Sequence, residues 1–311
     1  MVILINPFAG GGRALEKWRR IESRIRENHS SVRPLILDHK KDMKDWVRRM
    51  LNDGVTEFVA GGGDGTVNLL VESILDNGSH PLFPNVKVGA IGLGSSNDFH
   101  KPFLNGGKVE GIPCKIDFGY TSLRDVGFIT FEDNERNLHT RCWILNASIG
   151  ITAEANLFFN MPDTFLRFLK QSLTQGAILY SAYHTIANYK NREMKITLCN
   201  EEEIKTVVTN ISIVKSPHFS GNFCYDSPFE QDSGEFYVHL CERMSIPRAL
   251  RTLFRLYQKR FKGLPLTRSW RSHDLTVKSK NPFALEFDGE VVRTRFASFS
   301  IKHKLLQVCT R

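Results

Sequence analysis

Gly61-Gly62-Gly63-Asp64-Gly65-Thr66 joins a short apolar run, Val55 to Ala60, to Val67, Leu70, Val71, Ile74 and Leu75, which are spaced as the core face of a helix. Glycines let backbone N–H groups come close to phosphate oxygens and a helix start adds a positive end, so a strand–glycine–helix turn suits an anion. Asp64 narrows the choice. A carboxylate beside polyphosphate repels it unless Mg2+ lies between them, which points to a nucleotide with its metal. The loop has neither the lysine of G-x-x-x-x-G-K-[ST] nor the G-x-G-x-x-G spacing. Three glycines alone are equally a tight connection. A second loop, Gly92-Leu93-Gly94-Ser95-Ser96-Asn97-Asp98-Phe99, offers backbone donors, two hydroxyls, an amide and an acid, suited to phosphate on one side and metal or water on the other, or to a plain Asx cap. Near the end of the chain, Leu285-Glu286-Phe287-Asp288-Gly289-Glu290 sets two acids around a glycine. Phosphoryl transfer to an alcohol needs a carboxylate to orient the hydroxyl and accept its proton, and either acid could serve; Asp-Gly is also a common hairpin turn.

With Asn6-Pro7-Phe8-Ala9-Gly10-Gly11-Gly12-Arg13 upstream and Gly94-Ser95-Ser96-Asn97-Asp98-Phe99 downstream, the glycine loop resembles the diacylglycerol kinase catalytic-domain family, which also holds sphingosine, ceramide and bacterial lipid kinases. The GGDGT core is shared with NAD kinases, whereas the Asn-Pro start and the Asn-Asp-Phe segment resemble the lipid kinases. The resemblance implies ATP and Mg2+ as cofactors and a lipid hydroxyl as acceptor, diacylglycerol by default, with a sphingoid base, ceramide or glycerophospholipid head group as alternatives. It implies a nucleotide site of Asn6, Pro7, Gly10, Gly11, Gly12, Arg13, Gly61, Gly62, Gly63, Asp64, Gly65, Thr66, Asn68, Ser95, Ser96 and Asn97. It further implies a metal- or water-bridged network of Asp64, Asp98 and Asp117, with Glu290 as the base and Asp288 supporting it. Asn146 to Ile151 resembles the family's small-residue strand at the acceptor site. Gly221 to Gly234 resembles a loop where some bacterial members bind a structural Mg2+; Ser233 stands where they carry aspartate, which leaves Asp232 as the candidate ligand. Two other departures are Ser95-Ser96 in place of threonine-glycine and Leu69 in place of a frequent glutamate.

Several classes are disfavoured by composition. The net charge of +9 and pI near 9.3 favour anionic partners. The basic residues lack the interleaved aromatics of single-strand binders and no nucleic-acid-binding signature is present, so no nucleic acid is expected. No apolar run approaches the ~20 residues of a membrane span, and Val2 to Ile5 is too short for a signal-peptide core, so a cytoplasmic protein with peripheral contact to anionic membrane is expected. The six cysteines form no C-x-x-C pair, which argues against a zinc site or a disulfide framework. Assembly is left open, a homodimer included.

The elements that must position these residues read as strands alternating with helices over residues 1–120. Val2 to Ile5, Val32 to Leu37, Val55 to Ala60 and Val86 to Ile91 are strands. Leu15, Trp18, Ile21 and Ile25, and Met43, Trp46, Val47, Met50 and Leu51, mark helix faces. That alternation predicts a doubly wound, mostly parallel α/β sheet, with all three glycine-rich loops on the edge where ligands bind. The resemblance makes it NAD kinase/diacylglycerol kinase-like. From 121 to 299 short strands predict a β-sandwich-like second domain, among them Phe128 to Phe131, Arg141 to Asn146, Lys195 to Leu198, Thr206 to Val214, Glu235 to Leu240, Asp274 to Val277, Phe283 to Phe287 and Ala297 to Ile301. Helical stretches near 154–190 and 246–262 interrupt them. The first carries Leu157, Phe158, Phe159, Phe165, Leu166, Phe168 and Leu169, which suit either core or a groove for acyl chains. The second is acid-free, with Arg248, Arg251, Arg255, Lys259 and Lys262 on one face and Leu250, Leu253, Phe254, Tyr257 and Phe261 on another. In the family the final segment returns to the first domain, so residues 300–311 are expected to do so here.

Two rivals remain at this level: a kinase for a soluble acceptor such as NAD, and a non-catalytic module for anionic lipid. ATP with Mg2+ should raise the melting temperature if the glycine loops bind nucleotide, and should leave it unchanged if the chain is only such a module.

Overall fold

The computed structural model describes residues 1–39, 42–102, 107–160, 166, 168–169, 174–199 and 203–311. The chain divides into two compact units, the first formed by Met1–Arg124 and Lys304–Arg311, the second by Asp125–His303.

In the first unit the elements are β1 (Val2–Ile5), α1 (Ala14–Asn28), β2 (Arg33–Ile36), α2 (Asp42–Asn52), β3 (Glu57–Gly62), α3 (Asp64–Leu75), β4 (Lys87–Gly92), β5 (Lys108–Val109) and β6 (Ile112–Lys115). β1 pairs in parallel with β2 on one side and β3 on the other, and β3 pairs in parallel with β4. β6 runs antiparallel beside β4, and Gln307 and Val308 pair in parallel with Lys87 and Val88. Every residue of β1 is buried, as a parallel strand covered on both faces requires. Trp18, Ile21 and Ile25 recur at helical spacing on α1 and meet Ile3, Ile5, Val59 and Ile91 of the sheet. The winding direction reverses between β1 and β3, so the loops leaving these strands flank the crevice at which such sheets bind ligands.

The second unit is sheet-rich. Its elements are β7 (Thr121–Glu132, within this unit from Asp125), β8 (Leu138–Trp143), β9 (Asn146–Gly150), α4 (Ile151–Phe159), α5 (Thr174–Asn188), β10 (Arg192–Leu198), β11 (Ile204–Val214), β12 (His218–Phe219), β13 (Phe223–Cys224), β14 (Phe236–Glu242), α6 (Ile246–Tyr257), β15 (Thr267–Ser272), β16 (Asp274–Phe287) and β17 (Glu290–Cys309, within this unit to His303). The antiparallel order runs β15, β14, β11, then a lane shared end to end by β10 and β9, then β16 and β17. The strands roll around one core. Trp143 of β8 lies edge-on to Phe236 of β14 at 5.8 Å and to Phe299 of β17 at 6.5 Å.

Three strand expectations change. Arg141 to Asn146 is two strands, because the backbone N–H groups of Ile144 and Leu145 leave the ladder to bind the Asp288 carboxylate. Asp274 to Val277 and Phe283 to Phe287 are one strand with an irregularity between Lys278 and Phe283. β15 was not anticipated, since a strand reading Thr-Arg-Ser-Trp-Arg-Ser shows no apolar alternation. The stretch near 154–190 contains α4 and α5, and Phe165 lies outside the described residues.

Trp143 has no exposed surface to speak of, and a Cβ on Gly127 would lie 2.1 Å from its ring. Trp143→Ala should therefore lower unfolding free energy by about 3–5 kcal/mol, read from urea denaturation.

Candidate active site

Three loops leave the carboxyl ends of β1, β3 and β4, and specific hydrogen bonds bind them together. After β1, the Asn6 side-chain amide donates to Thr66 Oγ1 at 3.1 Å, while its Oδ1 accepts from Phe8 N–H. The chain then turns through Gly10, Gly11 and Gly12, all at positive φ. A Cβ on Gly10 would meet the Leu93 carbonyl oxygen at 2.6 Å, so this turn passes against the third loop. After β3, Gly63 caps α3 and Asp64 opens it, putting an acid at the positive helix end. After β4, Leu93 and Gly94 N–H both donate to the Gly62 carbonyl, at 2.9 and 3.1 Å. A Cβ on Gly94 would lie 2.3 Å from Gly63 Cα, a closeness only glycine allows.

Asp64 and Asn97 set the third loop. Asp64 accepts Asp98 N–H at 3.1 Å and Phe99 N–H at 2.9 Å, one on each carboxylate oxygen. Asn97 takes the left-handed conformation, φ 52°. It donates to the Gly92 carbonyl and accepts Gly94 N–H, so its amide is spent on shaping the loop. Ser95, Gly65, Gly11, Gly12 and Arg13 remain exposed, and Pro7, Gly63, Asp64 and Ser96 are half-buried. Gly61, Gly62, Thr66 and Asn68 are buried; Thr66 lies beneath Gly62 with its hydroxyl joined to Asn6.

Two lysines that sequence reasoning did not single out complete the arrangement. Lys17, one turn into α1, donates to the Leu93 and Gly94 carbonyls at 3.0 and 2.8 Å, tying the helix after the first loop to the third. Burial, then the neighbouring Arg13 cation, lowers its pKa. Lys115 donates to Phe99 O and is pushed down to about 8, chiefly by burial. Neither could be found from spacing, because each acts through a carbonyl distant in sequence.

Two of the acids expected in a metal- or water-bridged network with Asp64 make contacts of their own. Asp98 pairs with Lys101 at 2.7 Å, both largely buried. Asp117 is exposed and closes an Asx turn by accepting Gly119 N–H. Among the described residues, no group of three including Asp64, Asp98 and Asp117 comes within one ligand sphere; the set that does is Cys199, His273 and Asp274 in the second unit. That set brings together residues some 75 positions apart, so no local sequence pattern announces it. Mg2+ beside phosphates takes one or two carboxylates and keeps waters.

In the second unit, Asp288 and Gly289 form a two-residue hairpin, φ 45° and 92°, between Phe287 and Glu290. The two acids have separate fates. Asp288 is buried and accepts N–H from Ile144, Leu145 and Asn146. Burial pushes its carboxyl up to about 6, against the pull of those donors and of Lys215. Glu286, two residues before Asp288, is also buried; it accepts Gly289 N–H at 2.8 Å and the Ser148 hydroxyl at 2.7 Å. Glu290 is exposed. Asp232 accepts Asp125 N–H at 2.9 Å, and Asp125 in turn accepts Gly234 N–H and pairs with His303, so these acids shape their own loop.

Residues 1–127 match the model of the Diacylglycerol kinase catalytic domain, so the resemblance read from the three loops holds there. A Streptococcus pneumoniae serotype 4 protein named "Putative lipid kinase" is 27% identical over 126 residues, 40% of this chain and 41% of that protein. An Alcanivorax borkumensis protein named "Probable lipid kinase YegS-like" is 36% identical over 58 residues, 19% of this chain and 18% of that protein. The alignments thus span about two fifths or less of these curated relatives. A Bacillus anthracis structure described as "a putative diacylglycerol kinase" superposes with TM-score 0.72 at 15% identity, covering all of this chain and 94% of that one. Yeast NADH kinase superposes at 0.50 with 11% identity, over 83% of its length. These structures show the fold: an α/β unit followed by a sheet-rich one.

Asp288→Asn keeps one acceptor oxygen and turns an amide NH2 toward N–H donors. At least one buried N–H is orphaned, so urea denaturation should show a loss of about 1–3 kcal/mol.

Proposed function

With residues 1–127 matched to the diacylglycerol kinase catalytic domain, we propose that the chain is an ATP-dependent kinase for a lipid hydroxyl, with diacylglycerol, giving phosphatidic acid, as the first acceptor to test. The observation that carries this reading is the mutual locking of the three glycine-rich loops: Asn6 to Thr66, Gly62 to Leu93 and Gly94, Asp64 to Asp98 and Phe99, and Lys17 to the third loop. Backbone N–H groups held still at a helix start bind a triphosphate without reorganising, which is where phosphoryl transfer obtains most of its rate.

In this reading the backbone of Gly61 to Gly65 and of Gly10 to Gly12 receives the phosphates, and Asp64 holds Mg2+, which when bound neutralises charge on the transferred group. Glu290, exposed beyond its hairpin, accepts the proton of the acceptor hydroxyl as that oxygen forms its bond to the terminal phosphorus and ADP leaves. Asp288 and Glu286 touch no substrate; they position the turn. Glu290 is the better base because it is exposed to an incoming hydroxyl, whereas the Asp288 carboxylate is buried and turned toward the N–H groups of Ile144, Leu145 and Asn146.

Phosphate transfer from radiolabelled ATP should appear with a lipid in mixed micelles; labelling of NAD and of no lipid would replace this reading with that of a soluble-acceptor kinase. Glu290→Gln should lower turnover by orders of magnitude with nucleotide affinity nearly intact, and near-normal turnover removes it from the role. Asp64→Asn should weaken Mg2+-ATP binding as well as turnover.

A further inference from the structure

From Arg243 to His273 the chain carries nine lysines and arginines and no aspartate or glutamate, as many cations as the entire net charge. Helix α6 lies inside this stretch. At 100° per residue its side chains fall on three faces. Ala249, Thr252 and Leu256 are buried and attach the helix to its unit. Arg248, Arg251 and Arg255 form a second face, the first two exposed and the third half-buried. Ile246, Phe254 and Tyr257 form the third, and they are 47%, 59% and 50% exposed.

The cations nearest the sheet have partners: Arg268 pairs with Glu242, and Arg271 with Glu230 and Glu235. On α6, Arg255 reaches only the Gln258 side-chain oxygen. No acid exists on the helix to neutralise the other two. A solvated surface explains arginines but not three large apolar side chains beside them, and core packing explains Leu256 but not Phe254. An apolar ridge flanked by arginines matches one environment, the boundary between acyl chains and anionic headgroups. No helix among the described residues is long and apolar enough to cross a membrane, so α6 would lie on the surface.

We propose that α6 is a membrane-docking helix: Ile246, Phe254 and Tyr257 enter the interface of an anionic bilayer while Arg248, Arg251 and Arg255 contact lipid phosphates. Charge and exposure carry this independently of the kinase reading, although it would give such a kinase access to a lipid acceptor. Each basic residue near an anionic surface contributes about a fivefold gain in affinity, so three on one face produce binding that salt reverses.

The test is sedimentation of the full chain with vesicles, without nucleotide. Wild-type protein should bind vesicles containing phosphatidylserine, bind pure phosphatidylcholine vesicles far less, and be released by salt. Arg248→Glu with Arg251→Glu should weaken binding by at least about tenfold, and Phe254→Ser with Tyr257→Ser should weaken it too. All four side chains are outside the core, so melting temperatures should hold. Equal binding to both vesicle types, unchanged binding by both variants, or binding of a DNA duplex with none of vesicles overturns the proposal. Vesicle binding lost in the variants, with no lipid phosphorylated by wild type, keeps the docking helix and removes the kinase. Lipid phosphorylation with no vesicle binding does the reverse.

Discussion

A glycine turn can hold an anion only if its N–H groups are kept pointing at one place, and in this protein the loops are fixed by backbone carbonyls, the Asp64 carboxylate and the side chains of Asn6, Asn97 and Lys17. The Gly62 carbonyl takes two N–H groups of the third loop, and Asp64 takes two more. With no Cβ at Gly63 or Gly94, the second and third loops can touch backbone to backbone. A side chain at Gly94 would pry them apart. Asp64 thus fixes the loop that follows Asn97.

The second unit solves a related problem with buried acids. Leaving a carboxylate in the interior is costly unless N–H donors surround it, and Asp288 is surrounded by three. Those donors come from the break between β8 and β9, so the interruption of one strand and the burial of one acid are the same event. Glu286 closes the other side through Gly289 and Ser148. The hairpin is thereby held on both sides, and the acid beyond it, Glu290, is exposed.

Much of this was legible from residue order alone. Period-2 and period-3.6 patterns act locally, so β1, β3, β4, α1 and α3 lie within a few residues of where their apolar positions placed them. The parallel arrangement and the common edge for three loops follow from strand–helix alternation. The two readings of Asp288 and Glu290 could not be separated, because burial depends on Ile144 to Asn146, over 140 residues away. The grouping of Asp64, Asp98 and Asp117 likewise rested on resemblance, and the contacts Asp117 makes with Gly119 and Asp98 makes with Lys101 carry no pattern of their own in the sequence. Lys17 and Lys115 carried no local signal at all.

The sequence by itself determined which backbone segments can approach an anion, where strands and helices alternate, and that an acid-free basic helix follows β14, since all three are properties of neighbouring residues. Only the tertiary structure decided which acid is buried and which exposed, which lysines bind the loops, and which apolar residues of α6 stay in water. Those outcomes depend on desolvation and on hydrogen-bond partners that chain folding brings from far away, and no local pattern encodes them.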